Sequence, residues 1–264
     1  MFTKDNSITI SKIICLLLVI SSTSMYFIEH TSTYGYLFEI LFRIYILFLC
    51  GVMAHEGSHG NLGHNKKQND WWSRFVFVPM FLPSIAFRIT HRYHHAFTNE
   101  EGKDPDLLLK IDHLWQFPGR ALAMPHWWVI WLKRNQLWNK SLRNEYILSY
   151  LFFFMFYGLI AYEVGVERIL YTLLPAQIIN SFILWYPFAI KTHEGHYVGA
   201  QEFRSHDYYG KFLFWLTCGL SLHRAHHLYQ RKGWLELYPY IQQASIWDQI
   251  RMRRDIKIPD TVNE

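Results

Sequence analysis

The chain has 264 residues, 51% of them hydrophobic and 18% aromatic, with a formal net charge of +5. So high an apolar share argues against an ordinary soluble domain. Three scattered cysteines, Cys15, Cys50 and Cys218, exclude a disulfide framework and a cysteine zinc site. The basic residues are spread through loops beside aromatic-rich apolar stretches, which favours an anionic membrane surface over nucleic acid as partner.

In chain order, a polar leader with no cleavable signal is followed by two apolar runs, 8–28 and 34–54, and later by two more, 146–162 and 169–190. Each approaches the roughly 20 helical residues needed to cross a hydrocarbon core about 30 Å thick. We expect an all-α integral membrane protein with a single domain over 1–264. Its four transmembrane helices form two hairpins, with a cytoplasmic helical cap carrying the histidines. Glu39 and Arg43, four apart in the second run, pair on one helical face and lower their joint cost of burial. The shorter stretches 75–87, interrupted by Pro79 and Pro83, and 211–222 lie in the interface or re-enter it.

Twelve Lys and Arg residues lie between Lys66 and Arg143 and ten from Lys191 onward, whereas the two short turns between runs hold only Arg168. The positive-inside rule therefore places the N-terminus, the long middle segment and the C-terminal segment in the cytoplasm.

Of fifteen histidines, eight fall in three clusters: His55-Glu56-Gly57-Ser58-His59, His91-Arg92-Tyr93-His94-His95 and His223-Arg224-Ala225-His226-His227. Spacings of i, i+3 and i+4 set each cluster on one helical face. Neutral imidazole suits iron, copper, nickel and zinc, and so many nitrogens exceed the needs of one four-coordinate zinc, so the count points to two metals. The acids beside the clusters, Glu56, Asp104, Asp106 and Glu194, are candidates to accept the remaining ring N–H groups or to join the metal. Outside the clusters His30, His64, His113, His126 and His206 read as structural or interfacial. The tryptophans around Trp127-Trp128, with Trp71-Trp72, read as an aromatic belt or as the wall of a lipid tunnel.

These clusters resemble the histidine boxes of the membrane fatty acid desaturase superfamily, which includes acyl desaturases, carotenoid hydroxylases and ketolases. The second continues as Thr98-Asn99 and Asp104-Pro105-Asp106, as in that family, and the third ends His226-His227-Leu228-Tyr229. The resemblance covers roughly residues 53–240. It implies two iron ions held by His55, His59, His91, His94, His95, His223, His226 and His227, with O2 as co-substrate and a fatty acyl lipid oxidised. It also implies one further histidine near the end of the last span. His196 is the favoured candidate, with His193 a further ligand or a hydrogen-bonding neighbour. Gln230-Arg231-Lys232-Gly233 stands where many relatives carry a proline. The chain has no His-Pro-Gly-Gly haem segment, which implies a separate electron donor such as a ferredoxin or cytochrome.

Three alternatives stay open. The same centre fits hydroxylation or ketolation of a carotenoid or other lipid, because desaturation and hydroxylation begin with the same hydrogen abstraction. His55-Glu56-Gly57-Ser58-His59 also matches the zinc-protease helix, and a histidine-rich membrane protein can transport divalent metal.

Overall fold

A computed structural model describes residues 2–184, 186–196 and 204–241. Four of the ten basic residues from Lys191 onward, Arg251, Arg253, Arg254 and Lys257, therefore lie outside the described residues.

Nine α-helices are found among the described residues: α1 (Lys4–Ser24), α2 (Thr33–Ser58), α3 (Lys66–Val76), α4 (Ser84–Phe97), α5 (Phe117–Arg134), α6 (Lys140–Val164), α7 (Val166–Ile179), α8 (Lys211–Leu216) and α9 (His223–Leu228). No strand occurs among them. Side chains that accept a backbone N–H begin several of these helices: Ser32 for α2, Asn65 for α3 and Asn139 for α6. Beyond α7 the helix widens into π turns, Asn180–Leu184 and Tyr186–Lys191. Gly165, at φ 85°, makes the break between α6 and α7 in a conformation that other residues adopt at a cost.

Among the described residues four helices are long and apolar enough to cross a membrane: Lys4–Phe27, Thr33–Ser58, Lys140–Val164 and Val166–Lys191. They agree with the four apolar runs, extended at their ends by polar residues that cap the helices. The stretch 75–87 is not straight. Lys66–Met80 and Ser84–Phe97 meet at 105°, where Phe81 is left-handed at φ 56° and Pro83, lacking an N–H, starts the next helix.

α2 is the hub, packing against α1, α3, α4 and α7. Gly57 permits its close approach to α3, since a Cβ there would collide with Ser73 Oγ. Asn69 joins the same junction, donating Nδ2–H to Gly57 O at 2.9 Å and accepting Leu62 N–H at 3.0 Å.

Outside the histidine clusters, Glu39 and Arg43 pair at 2.7 Å, as their spacing predicts. Two more side chains join them: His30 Nε2 lies 2.7 Å from Glu39 and Arg168 Nη2 lies 2.5 Å away. Arg168 also donates to Met25 O and Ile28 O, and Arg43 to Ser22 O. This buried cluster ties α1, α2 and α7 together, and His30 is structural through it. All three cysteines are free and buried.

Candidate metal centre

The histidines arrive from four places. His55 and His59 close the C-terminal end of α2, and His91, His94 and His95 occupy the last two turns of α4. His193 follows the second π turn, and His223, His226 and His227 line α9. Arg92 Nε–H donates to Ser58 O at 2.8 Å, fastening α4 to the end of α2. α9 has only six residues and no cap of its own. Asp207 supplies one from sixteen residues upstream of the cluster, accepting the N–H groups of Arg224 at 2.6 Å and Ala225 at 3.1 Å. A carboxylate at a helix N-terminus also opposes the helix dipole favourably.

Nine imidazoles assemble into two groups, His55, His59, His91, His95 and His226 in one and His94, His193, His223 and His227 in the other, with one ring nitrogen of each within 4.8 Å of the rest. In the first group His95 Nε2 lies 2.9 Å from His91 Nε2, and His226 Nε2 lies 3.2 Å from His59 Nε2 and 3.3 Å from His95 Nε2. In the second, His193 Nε2 lies 3.2 Å from His94 Nε2 and 2.9 Å from His223 Nε2, itself 3.2 Å from His227 Nε2. The groups adjoin where His95 stacks on His227, ring centroids 4.0 Å apart.

These distances test whether metals fit. A metal–imidazole bond of about 2.1 Å gives neighbouring nitrogens at right angles a separation of about 3.0 Å, close to the values above. With the proton of each neutral ring on Nδ1, the facing Nε2 lone pairs have no donor among them, whereas a cation at each centre satisfies them all. Burial also keeps the rings neutral. His95, His226 and His227 are held well below the ordinary histidine pKa first by desolvation and then by the charge of neighbouring histidines, and His193 is lowered to about 3 by burial and by His94.

His94 is the exception. Desolvation disfavours its charge, but Asp104 and Asp106 outweigh this and raise it to about 9. Its Nδ1–H donates to Asp104 Oδ1 at 3.0 Å, with Asp106 Oδ2 at 3.7 Å, which leaves Nε2 to face the second group. Asp104 in turn accepts Asn99 N–H and Asp106 N–H, so the Asp-Pro-Asp segment is a rigid mount for one carboxylate.

The structure sorts the other sequence candidates. Glu56 turns away and accepts Trp234 N–H at 3.0 Å. Glu194 is exposed and pairs with Lys191 at 2.5 Å. His193 joins the second group, whereas His196, the favoured candidate, is directed at His206, with Nε2 3.2 Å from Nδ1. The turn after α7 decides between them: His193 N–H bonds Ile190 O and keeps that residue on the helix end, while His196 lies past Gly195 at φ 77°. His64 is half-exposed beside Asp5. Asp207 was missed by sequence reasoning, because a cap from a distant segment leaves no local spacing.

One face of the centre opens into a cavity of about 620 Å³. His55, His91, His94, His193 and His223 form its inner end, and Gly51, Phe87, Trp128 and Leu173 continue the wall. Leu122, Leu170 and Leu174, each about half exposed, mark its mouth between α5 and α7. Trp128 and Trp131 are buried, and Trp127 Nε1–H donates to Pro105 O at 2.9 Å. Of these three tryptophans Trp128 lines the cavity.

Residues 31–247 match the model of the fatty acid desaturase family. The chain belongs to the fatty acid desaturase family. That membership agrees with the resemblance carried by its histidine boxes. It is 32% identical to the omega-3 fatty acid desaturase fat-1 of Caenorhabditis elegans over 38% of this chain and 23% of the nematode protein. It is 27% identical to the sphingolipid delta(4)-desaturase DES1 of Drosophila melanogaster over 67% of this chain and 56% of that protein. Over 20% of this chain and 15% of the relative it is 34% identical to an sn-1 acyl-lipid omega-3 desaturase (ferredoxin) of Synechocystis sp.. Each match spans less than two thirds of the relative. No solved structure matches the chain.

Proposed function

We propose that this desaturase-family protein removes hydrogen from the acyl chain of a membrane lipid, using O2 and two irons held by the two histidine groups. The observation that carries this reading is that two adjoining, all-histidine groups end an apolar cavity whose mouth lies among exposed leucines.

His55, His59, His91, His95 and His226 would hold one iron and His94, His193, His223 and His227 the other. Once bound, the irons supply the O2 reduction that attack on an unactivated C–H bond requires. Net, two hydrogens leave adjacent carbons and O2 becomes two waters, two of its four electrons coming with those hydrogens from the lipid, two from a separate donor, and the remaining two protons from water. A ferredoxin or cytochrome fits that role, and one relative is named for ferredoxin.

The chain's own residues do the rest. Asp104 keeps a proton on His94 Nδ1 and so presents Nε2 to the centre. Phe87, stacked on His91 at 5.0 Å, and Trp128, 5.3 Å from Phe87, exclude water beside the centre. The boxes face the cytoplasm in this reading, because the basic loops share their side. Glu56, engaged by Trp234 N–H, is not placed as the general base a zinc protease needs.

The test is reconstitution of the full chain with iron, a reduced ferredoxin and O2, with membrane lipids analysed by mass spectrometry. A product two hydrogens lighter supports desaturation. A product one oxygen heavier moves the reading to hydroxylation, and unchanged lipids with protein holding two irons overturn both.

A further inference from the structure

Each end of a helix leaves backbone groups without partners inside the helix, and the helices that carry the histidines are no exception. The last turn of α4 leaves the carbonyls of His95 and Ala96, and one side chain takes both: Arg204 Nη1–H donates to His95 O at 3.3 Å and to Ala96 O at 2.8 Å. The short α9 has Asp207 at its start, accepting the N–H groups of Arg224 and Ala225. A cation thus stands at one helix C-terminus and an anion at another's N-terminus, and each opposes its helix dipole favourably. Only Ser205 and His206 separate the two in sequence.

The same segment also reaches His193. The carbonyl of Arg204 accepts His193 Nδ1–H at 2.8 Å, which leaves Nε2 to face the second group, the part that Asp104 plays for His94. Backbone bonds hold the segment on either side of the centre. His206 N–H donates to Thr192 O at 3.0 Å, next to His193, and Tyr208 N–H to Ser221 O at 2.7 Å, just before α9. Residues 204–208 therefore touch three of the four sources of histidine: α4, the turn at His193 and α9. In the second group His193, His223 and His227 depend on them. In the first group His226 does, and His95 carries one of the carbonyls that Arg204 holds.

Resting on the two-iron reading above, we propose that residues 204–208 form a clasp that positions the histidines for both metals, with Arg204 and Asp207 as its positioning residues. Neither is a ligand, and each acts through backbone. Asp207 fixes where α9 begins and so aims its three imidazoles. Arg204 fastens the end of α4, and its carbonyl sets the tautomer of His193. The two metals depend on the clasp unequally. Three of the four histidines of the second group are held by it, whereas His55 and His59 of the first group come from α2 and stand outside it.

Iron retention by the full chain in detergent tests this without recourse to turnover. Protein loaded anaerobically with ferrous iron is titrated with a chelator, and the step absent from His193→Ala marks the metal of the second group. We expect Asp207→Ala to release that metal at about 10–100-fold lower chelator concentration, and the other metal at a concentration lowered by less. Asp207→Asn should behave as the wild type, because an asparagine oxygen caps a helix as well as a carboxylate does. Arg204→Met should shift both steps, by about tenfold. A residue that only stabilises the fold would lower the unfolding temperature of the metal-free protein and leave the steps in place. That result in Asp207→Ala overturns the inference, as does an Asp207→Asn variant no better than Asp207→Ala. Should Asp207→Ala not fold, unshifted steps in Arg204→Met overturn it. If neither variant folds, the segment serves the fold rather than the metals, and the inference falls as well. A wild type that retains no iron overturns the two-iron reading itself, which every other outcome leaves standing.

Discussion

The Nδ1–H of His94 donates to Asp104 Oδ1 at 3.0 Å, while Nε2 of the same ring lies 3.2 Å from Nε2 of His193. One carboxylate thereby fixes the tautomer of a histidine at the boundary between loop and centre. Asp104→Asn is expected to lower metal affinity of the second group about 10–100-fold, with the first group unaffected. Titration of bound iron against a chelator reads this as a loss of one of two metals; two metals retained with wild-type affinity would contradict it.

His193 and His196 give opposite outcomes. His193→Ala is expected to halve the metal content and abolish turnover, because it removes one of the four ligands available to the second group. His196→Ala, directed at His206 instead, should keep both metals. Elemental analysis of the two purified variants decides the matter, and reversed results would restore His196 as the ligand.

Glu39 stands between Arg43, Arg168 and His30 with almost no exposure. Removing it leaves Arg43 buried and unpaired, a loss of about 3–5 kcal/mol for a broken buried pair. Glu39→Gln should therefore lower the unfolding temperature sharply, whereas the double change Glu39→Leu with Arg43→Met should recover part of the loss. A single variant as stable as the wild type would show that the cluster does not hold α1, α2 and α7 together.

Acid should destabilise the metal-free protein. His95, His226 and His227 are neutral when folded and take up protons only well below 6.5, whereas in the unfolded chain they do so near 6.5. Below that pH the unfolded state binds more protons, so stability is present above 6.5 and falls as the pH drops, by about 1.4 kcal/mol per pH unit for each such ring. Thermal unfolding of metal-free protein between neutral and mildly acid pH measures the effect. A flat profile would mean that the rings are not held neutral by burial.

Much of the architecture was legible along the chain because its signals are local. The four apolar runs correspond to the four long helices because bilayer thickness sets a helix length that uninterrupted apolar residues display directly. The i and i+4 spacing of Glu39 and Arg43 predicted their contact, since helical geometry alone sets it. The eight box histidines were legible for the same reason: each cluster repeats the period of its own helix.

What the sequence by itself determined was therefore the class of protein, the number of long apolar helices and eight of the nine histidines that converge. Only the tertiary structure decided how they divide into two groups, that His193 rather than His196 joins them, that Asp207 caps α9 and that Arg204 holds the end of α4. The physical reason is the range of the interaction. Helix period and membrane thickness act within one segment, whereas these relationships join residues from separate elements, and their geometry exists only once α2, α4, α7 and α9 have packed.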